Sequence, residues 1–513
     1  MERRKTQEYP HPFVHEIKLT TAQRIRGQVL GAVLFPVRVT FAALCFLLMW
    51  PFARLRLLGL TKQDREKPIK GWRFWLFNGI VQFLSRAVFF CVGFLWIRVK
   101  GRRAGGAEAP VLAVAPHSGF LDMVVLCFTS LATVVSRSEN TSLPVIGALL
   151  EFNQAVLVNR KDPESRKKCV SQITERVTSN GHWPQMLMFP EGTTTNGSAL
   201  IKFKPGAFLA GVPVQPVLLH YPNKLDTVRW TWKGTSWLQS LWHTTSQLYS
   251  SLTIEFLPVY TPSQAEKDDP NLYADNVQKL MAKGLGVPAT DYVMEGRYPV
   301  KRVGGLSLPL ESPATETLKL LHNAGLSRAE VHAALGRMTE RCLSGQEKMV
   351  SVDQLQQWLG LSDREPAQKI SSLFSKDERV DLRLLCLSLP AVSGLCCLED
   401  LMTTAFRLYD ADGDGVLSAG ELAGLMGALV GVPQYRTAHI YTQLTSRGQA
   451  NKDGLISLLT SDPTYQELLS DYLHPKGADL ETSAYHTANG KDSNHNGSMQ
   501  NGNVMMNGDK KTD

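Results

Sequence analysis

The stretch Val111-Leu-Ala-Val-Ala-Pro-His-Ser-Gly-Phe-Leu-Asp122 begins with an apolar run that stops at Pro116 and is followed by His117 and Asp122. A short apolar run ended by proline predicts a buried strand, and the residues after it predict the start of a helix. A histidine at the carboxyl end of a strand lies at the sheet edge where α/β folds bind ligands. The carboxylate of Asp122 would reach Nδ1 of His117 and leave Nε2 as a general base. The alternative is that Ser118 caps the helix beside an incidental His–Asp pair.

Around this stretch, short apolar runs that end at Pro or Gly alternate with helical segments such as 165–179. Strands that alternate with helices are typical of an α/β fold. We therefore predict an α/β domain over residues 101–305. Its predicted strands are Val111–Ala115, 155–158, 186–189, 214–219 and 254–259.

A second stretch, Phe189-Pro-Glu-Gly-Thr-Thr-Thr195, places an acid, a glycine and three hydroxyls directly after another predicted strand. Successive backbone N–H groups in such a turn form a nest that binds anions, and the hydroxyls add donors. Lys202 and Lys204 follow shortly and supply two cations. A Gly/Thr turn alone is usually only a turn, but together with a histidine base it indicates a site for a phosphate ester.

Four motifs in order resemble the glycerophospholipid (1-acyl-sn-glycerol-3-phosphate) acyltransferase family. They are His117-x4-Asp122, Val158-Asn159-Arg160, Phe189-Pro190-Glu191-Gly192-Thr193 and Val212-Pro213-Val214-Gln215-Pro216-Val217. Further segments resemble the lysophosphatidylcholine acyltransferase branch that carries EF-hands, so the resemblance extends over nearly the whole chain. These segments are Pro12-Phe13-Val14-His15-Glu16, Phe203-Lys204-Pro205-Gly206-Ala207-Phe208 and Tyr221-Pro222-Asn223-Lys224-Leu225-Asp226-Thr227.

The resemblance implies an acyltransferase domain with a mixed sheet flanked by helices. Its reaction would transfer an acyl group from acyl-CoA to the hydroxyl of a lysophospholipid such as lysophosphatidylcholine or lysophosphatidylethanolamine. His117 would be the general base, and Asp122 would orient its ring and stabilise the imidazolium. A second set of residues would bind the substrate: Arg160, Glu191, Gly192, Thr193 and Lys204.

The residue at position 194 distinguishes between two classes of acceptor, phosphomonoesters and phosphodiesters. Family members that act on phosphomonoesters usually have Arg after Glu-Gly-Thr, so Thr194 favours a phosphodiester acceptor that carries a head group. Two alternatives stay open: a lysophosphatidate acyltransferase, and a Ca²⁺-responsive membrane adaptor with a vestigial catalytic domain. The intact His117/Asp122 pair argues against the adaptor.

The net charge of +8 is concentrated near the N-terminus, because residues 1–100 hold 17 Lys/Arg against 5 Asp/Glu. A basic excess beside apolar runs indicates an anionic membrane surface. The rest of the chain shows neither a basic stripe nor an aromatic platform, so we expect no nucleic-acid partner. We expect membrane phospholipids as partners instead.

Two apolar segments, 29–53 and 74–97, lie within residues 1–100, but Arg38 and Arg86 interrupt them. A membrane-spanning helix needs about 20 predominantly apolar residues, and a central Arg costs roughly 3 kcal/mol. The basic stretch between the segments favours the cytoplasmic side. We therefore predict a hairpin that enters one leaflet and returns, rather than two full spans or two buried soluble helices. Its predicted interfacial anchors are Trp50, Trp72, Trp75 and Trp96.

The stretch from Asp410 to Glu421 fits the twelve-residue loop of an EF-hand, a seven-oxygen Ca²⁺ site. The predicted ligands are Asp410, Asp412, Asp414, Val416, Ser418 and Glu421. A loop over 449–460 resembles a vestigial partner because it lacks the first Asp, and the acids near 375–384 are out of register. We predict an all-α EF-hand domain over 311–473 with one Ca²⁺ site.

Residues 475–513 are too polar to form a core, which predicts a disordered tail. Lys510 and Lys511 resemble the dilysine signal that coat proteins read in endoplasmic-reticulum membrane proteins. Eight cysteines without a C-x-x-C pair indicate reduced thiols facing the cytosol. We predict the endoplasmic-reticulum membrane, with the catalytic domain on the cytosolic side and with the Golgi or lipid droplets as alternatives.

Overall fold

The computed structural model describes residues 11–159, 162–345, 348–375, 377–394 and 396–468, so the predicted tail and its dilysine lie outside the described residues. The chain divides into two compact units. The first extends to Arg302 and includes Ser307–Glu311, and the second comprises Val303–Leu306 and the chain from Ser312. The division falls near residue 305, where the predicted α/β pattern stops.

A seven-stranded mixed sheet forms the centre of the first unit. The strands of this part of the chain are β1 (Val14–His15), β2 (Ile97–Lys100), β3 (Val111–Ala115), β4 (Thr133–Arg137), β5 (Val156–Val158), β6 (Met186–Met188), β7 (Val214–His220), β8 (Lys233–Gly234), β9 (Leu252–Phe256), β10 (Tyr292–Glu295), β11 (Tyr298–Val303) and β12 (Leu306–Pro309). The large sheet has the order β2-β9-β7-β3-β6-β4-β5. Only β7 and β9 pair antiparallel among its neighbours in the described chain. The predicted mixed sheet is confirmed.

Both faces of the sheet are covered. Leu112 and Val114 of β3 belong to one apolar cluster, whereas Val111 and Ala115 belong to a second cluster on the opposite face. Successive side chains of a strand point to opposite faces, so a strand buried on both sides must be apolar throughout. This requirement explains why β3 matches its predicted bounds residue for residue.

The sequence analysis missed β2 and β4. In β2, two of the four residues are charged and the strand lies at the sheet edge, so it lacks the apolar run that marks a buried strand. Strand β4 begins with Thr133 and ends with Ser136 and Arg137, which hid it in the same way. The other predicted strands differ from the observed bounds by one to three residues.

Helices pack on both faces of the sheet. They are α1 (Thr21–Leu57), α2 (Lys62–Arg65), α3 (Trp72–Val92), α4 (Pro144–Phe152), α5 (Pro163–Val177), α6 (Trp237–Thr245), α7 (Gln264–Asp268) and α8 (Pro270–Leu285), with a 3-10 helix at Phe120–Phe128. By length and composition alone, α1 and α3 are long and apolar enough to cross a membrane. Helix α1 continues through Pro36 and Pro51. The structure therefore contains the two predicted apolar helices.

The second unit consists almost entirely of helices. They are α9 (Pro313–Asn323), α10 (Arg328–Leu343), α11 (Val352–Leu359), α12 (Arg364–Phe374), α13 (Leu382–Ser393), α14 (Leu398–Tyr409), α15 (Ala419–Val430), α16 (Ala438–Ser446), α17 (Lys452–Ser461) and α18 (Pro463–Leu468). Two short strands, β13 (Met349–Ser351) and β14 (Arg379–Asp381), join the α10–α11 loop to the α12–α13 loop by antiparallel pairing. The α14–α15 and α16–α17 loops are joined in the same manner by a bridge between Val416 and Asn451. The unit thus repeats one helix–loop–helix arrangement in two pairs.

Candidate active site

Three neighbouring parallel strands end at one edge of the sheet and carry the candidate site. His117 follows β3, Glu191 follows β6 and Tyr221 follows β7. The strands β7, β3 and β6 are adjacent and parallel, so their carboxyl ends lie side by side. This is the edge at which α/β folds place their ligands.

His117 and Asp122 form the predicted pair. Nδ1 of His117 lies 2.8 Å from Oδ2 of Asp122, and the Asp122 side chain is fully buried. The same oxygen accepts the backbone N–H groups of Ser118 at 2.5 Å and Gly119 at 2.9 Å. A carboxylate can only accept here, so Nδ1 carries the proton and Nε2 is the basic nitrogen. The His117 side chain is 21% exposed and its ring stacks on Phe189 at 4.0 Å between centroids.

Glu191 is buried and its carboxyl group is turned towards the backbone of the His117 turn. Oε1 accepts the His117 N–H at 2.9 Å, and Oε2 accepts the Thr195 hydroxyl at 3.0 Å. Burial raises the pKa of Glu191 to about 8. The Thr195 N–H in turn donates to the His117 carbonyl at 2.7 Å. The Glu191 carboxyl group therefore joins the turn after β6 to the turn after β3, and its contact with substrate stays a prediction.

The turn at Gly192 lies beside Lys204. Gly192 has φ +66°, and a Cβ at this position would lie 2.9 to 3.0 Å from the Cδ, Cε and Nζ atoms of Lys204. The positive φ therefore favours glycine, and a larger residue would also displace the end of the Lys204 side chain. Thr193 is partly exposed beside it. The structure thus places Gly192 beside Lys204, with Thr193 next in the chain, and the binding of a phosphate at this turn stays a prediction.

Arg160, the remaining predicted substrate residue, lies outside the described residues. It follows β5, which is separated from β3 by β6 and β4. At about 4.8 Å between strands, the end of β5 is about 14 Å from the end of β3 along the sheet.

The sequence analysis missed the role of Tyr221 in this site. Its hydroxyl donates to Oδ1 of Asp122 at 2.5 Å, across 99 positions in the chain. Burial and the neighbouring Asp122 raise the pKa of Tyr221 well above its usual value, so the hydroxyl stays protonated. The Tyr-Pro-Asn segment contributes to the family resemblance in the sequence. Its contact with Asp122 follows only from the order of the strands in the sheet.

An apolar cavity of about 480 Å³ adjoins the His117 turn. Phe120 and Leu121 of the 3-10 helix line it on one side, and residues of α1, α3 and α4 line the others. Phe46, Met49 and Phe89 are among these lining residues. A cavity of this size and character suits an acyl chain or a similar apolar group.

In the second unit, the predicted metal-binding loop brings its carboxylates together. One ligand atom from each of Asp410, Asp412 and Asp414 lies within 4.8 Å of the others. Gly415 has φ +78°, as the sharp turn at loop position six requires. The Glu421 carboxylate accepts the N–H groups of Ala411 and Ser418, both at 2.9 Å. The loop from Asp410 to Glu421 was predicted from the sequence. The α10–α11 loop was not predicted, because its sequence contains no comparable set of acids.

The class of the first unit follows from a match to a protein-family model. A family model described as Acyltransferase matches residues 96–220, which hold His117, Asp122, Glu191 and six of the seven strands of the large sheet. The first unit is therefore an acyltransferase domain. A crystal structure of the 1-acyl-sn-glycerophosphate acyltransferase PlsC from Thermotoga maritima matches 52% of this chain and 98% of its own, with a TM-score of 0.36 and 15% identity.

Full-length relatives define the family. The lysophospholipid acyltransferase LPCAT4 of Mus musculus is 45% identical over 92% of this chain and 91% of its own. The human lysophosphatidylcholine acyltransferase 2 is 38% identical over 92% of this chain and 86% of its own. The chain belongs to this family of lysophospholipid acyltransferases, which confirms the resemblance seen in the motifs.

Proposed function

We propose that the protein transfers an acyl group from acyl-CoA to the free hydroxyl of a lysophospholipid, with His117 as the general base. The observation that carries the proposal is the 2.8 Å contact between His117 Nδ1 and the fully buried Asp122 carboxylate. It fixes the tautomer and leaves Nε2 available to accept a proton.

The reaction balances without a covalent enzyme intermediate. Nε2 of His117 accepts the hydroxyl proton while the lysophospholipid oxygen attacks the thioester carbonyl. The new C–O bond forms, the C–S bond breaks, and the CoA thiolate takes the proton back from the imidazolium. The Asp122 carboxylate stabilises the imidazolium through its contact with Nδ1. The chain lacks a G-x-S-x-G motif, so we assign Ser118 no nucleophilic role.

The phosphate group of the lysophospholipid binds at the turn of Gly192 and Thr193, beside Lys204. The close approach of Lys204 to Gly192 supports this assignment because it places a cation beside the turn. Arg160 contributes a second cation. Glu191 acts through the backbone of His117 instead of touching substrate, since both its oxygens accept protein hydrogen bonds. The acyl chain occupies the apolar cavity next to Phe120.

The acceptor is a phosphodiester, in which the phosphate carries a head group such as choline or ethanolamine. Thr194, in place of the Arg typical of enzymes that act on phosphomonoesters, supports this choice. The names of the relatives agree, since they refer to lysophospholipids and to lysophosphatidylcholine.

The apolar helices lie along one leaflet of the membrane instead of crossing it. Helix α1 contacts the catalytic domain at two well-separated positions: Phe35 packs on Trp242 at 4.9 Å, and Arg54 pairs with Glu151 at 2.8 Å. These contacts lie about 28 Å apart along the helix, nearly the thickness of the hydrocarbon core. A helix held against a domain over that length cannot be surrounded by lipid tails across a full bilayer. Between these two contacts, Arg38 of α1 donates to the carbonyl oxygens of Thr245, the last residue of α6, and Leu248.

The exposed apolar side chains support the same geometry. Trp72, Trp75 and Trp96 are 65%, 80% and 76% exposed, as expected of interfacial anchors, and Trp50 is 44% exposed. We place the protein at the endoplasmic-reticulum membrane with its catalytic domain in the cytosol.

The second unit is an EF-hand domain whose loop from Asp410 to Glu421 binds one Ca²⁺. The three clustered aspartates and the positive φ of Gly415 fit the ion. The Val416 carbonyl, Ser418 and Glu421 would complete the ligand set. The bridge from Val416 to Asn451 supports the assignment, because EF-hand loops occur in such pairs.

Substitution of His117 by Ala tests the function. We expect turnover to fall by about 10²- to 10⁴-fold, the contribution of general acid–base catalysis, with unchanged thermal stability. The exposed His332, substituted by Ala, is the matched control. Turnover that persists in a well-folded His117→Ala variant would exclude the proposed mechanism.

A panel of acceptors with one acyl-CoA, repeated with Ca²⁺ and with chelator, tests the substrate. We expect product from lysophosphatidylcholine or lysophosphatidylethanolamine. Product from lysophosphatidate alone would favour the lysophosphatidate acyltransferase. If no acceptor reacted while Ca²⁺ still bound, the membrane adaptor would be the correct alternative.

A further inference from the structure

We infer that Tyr221 is a positioning residue for the acyl transfer, which holds the Asp122 carboxylate and thereby sets the orientation and basicity of His117. The inference rests on the proposed function, in which His117 is the base. Tyr221 does not touch the reacting atoms, so it acts through Asp122.

The sheet brings Tyr221 to this place. Strands β3 and β7 pair in parallel, with Ala115 opposite Leu218. The residues that follow, His117 on one strand and Tyr221 on the other, therefore leave the sheet side by side. The Tyr221 hydroxyl then reaches Oδ1 of Asp122 at 2.5 Å.

The two oxygens of Asp122 have different partners. Oδ2 accepts from His117 Nδ1 and from two backbone N–H groups, whereas Oδ1 accepts from Tyr221. Within the described ranges, no Lys or Arg forms an ion pair with Asp122. Its charge is therefore stabilised by hydrogen-bond donors, and Tyr221 is the side-chain donor that fixes Oδ1.

The tyrosine is itself held in place. Its ring packs edge-on against the buried Phe94 at 6.4 Å between centroids. Two residues later, Asn223 exchanges hydrogen bonds with the Ser251 backbone at 2.8 and 3.1 Å. These contacts fix the position of the Tyr-Pro-Asn segment and, with it, the direction of the Tyr221 hydroxyl.

The effect on His117 follows from charge sharing. A donor on Oδ1 withdraws electron density from the carboxylate, so the attraction between Oδ2 and the imidazolium is weaker with Tyr221 than without it. Loss of the hydroxyl would make His117 more basic and would leave Oδ1 without its side-chain donor. The other titratable and charged groups that face Asp122 or Tyr221 follow β6 and β7. Glu191 faces Asp122, whereas Asp226 and Arg229 face Tyr221 and form an ion pair with each other.

Tyr221→Phe tests the inference in the full-length, membrane-reconstituted protein, because it removes only the hydroxyl. Tyr249→Phe is the matched control, since Tyr249 is 63% exposed and lies outside the site. We expect kcat to fall about tenfold or more, the typical effect of losing one hydrogen bond to a charged group. KM for acyl-CoA should stay unchanged, and the acidic limb of the kcat/KM profile should move to higher pH.

Asp122→Asn, alone and combined with Tyr221→Phe, adds a second readout. If Tyr221 acts through Asp122, the double variant should be no slower than Asp122→Asn alone. Independent, multiplying losses would overturn the inference, as would a Tyr221→Phe enzyme with the wild-type kcat and pH profile. A lower kcat without movement of the acidic limb would reduce Tyr221 to a structural role and also overturn it. Activity that survives His117→Ala would instead refute the proposed function.

Discussion

At the scale of single residues, two buried acids lie within one hydrogen bond of the His117 turn but have different surroundings. Asp122 accepts hydrogen bonds from four donors, including the His117 ring. Glu191 accepts two, and burial raises its pKa to about 8. The first acid is therefore suited to act as a charged partner of the imidazole, and the second to hold backbone segments together as a largely protonated group near neutral pH.

Substitution of Glu191 by Gln should make stability less dependent on pH. The pKa of Glu191 is about 8 in the folded protein against a usual 4.5, so the folded state binds this proton more tightly than the unfolded chain. The free energy of unfolding of the wild type should accordingly fall as pH rises through that window. Gln does not ionise and should remove this part of the decline. Thermal unfolding at about pH 5 and about pH 8 measures the effect.

The exposed Glu139, substituted by Gln, is the control and should keep the wild-type dependence on pH. An identical decline for the wild type and Glu191→Gln would show that Glu191 is already ionised in the folded protein.

Local spacing accounts for the part of the site that the sequence predicts. His117 and Asp122 lie five positions apart, so one turn brings them together whatever the rest of the fold does. The contact between Tyr221 and Asp122 spans 99 positions and depends on β7 lying next to β3. The direction of the Glu191 carboxyl group likewise depends on β6 being the other neighbour of β3. Motif spacing does not specify the order of strands in a sheet. The Tyr221–Asp122 contact and the direction of the Glu191 carboxyl group could therefore be recognised only in the structure.

At the scale of elements, helix α1 shows how a long apolar helix is attached to a catalytic domain. Gly31 of α1 faces α6, and a Cβ at this position would lie 2.5 Å from Ser246 Oγ and 2.7 Å from the Trp242 ring. Gly27 lies one turn earlier, and a Cβ there would meet no atom within 4 Å. The composition predicted an apolar hairpin, but it could not show which glycine packs closely and which has open space beside it.

Substitution of Gly31 by Ala should loosen α1 from the domain, whereas Gly27→Ala should not. We expect Gly31→Ala to destabilise the protein by roughly 1–3 kcal/mol, as overpacking usually does. Gly27→Ala should be neutral or slightly stabilising, because Ala favours a helix over Gly by about 1 kcal/mol. Thermal unfolding and vesicle-based activity of the two variants, each in the full chain, provide the measurement. Equal stability of both variants would contradict the observed packing of α1 on α6.

At the scale of the whole molecule, charged and apolar residues are distributed unevenly along the chain. The basic excess of residues 1–100 accompanies the helices whose apolar side chains are exposed, while the second unit carries the acidic loop. Hydrophobic patterning predicted this order of parts because each part has its own composition. The pairing of helix–loop–helix units was predicted for one loop pair and missed for the other, since β13 and β14 join loops without a set of acidic ligands.

Ca²⁺ should protect the second unit of the intact protein, and Glu421→Gln should abolish the effect. Glu421 now accepts the N–H groups of Ala411 and Ser418, so its carboxylate already lies across the loop from the three aspartates. Ca²⁺ at 100 times its dissociation constant should stabilise the domain by about 2.7 kcal/mol. Hydrogen exchange of the peptides that cover α14 and α15, with about 1 mM Ca²⁺ or with chelator, measures this protection across the range of EF-hand affinities.

Asp453→Asn, in the partner loop that lacks the ligand pattern, should respond to Ca²⁺ like the wild type. Protection that is absent in the wild type, or that persists in Glu421→Gln, would show that this loop does not bind Ca²⁺ through the predicted ligands.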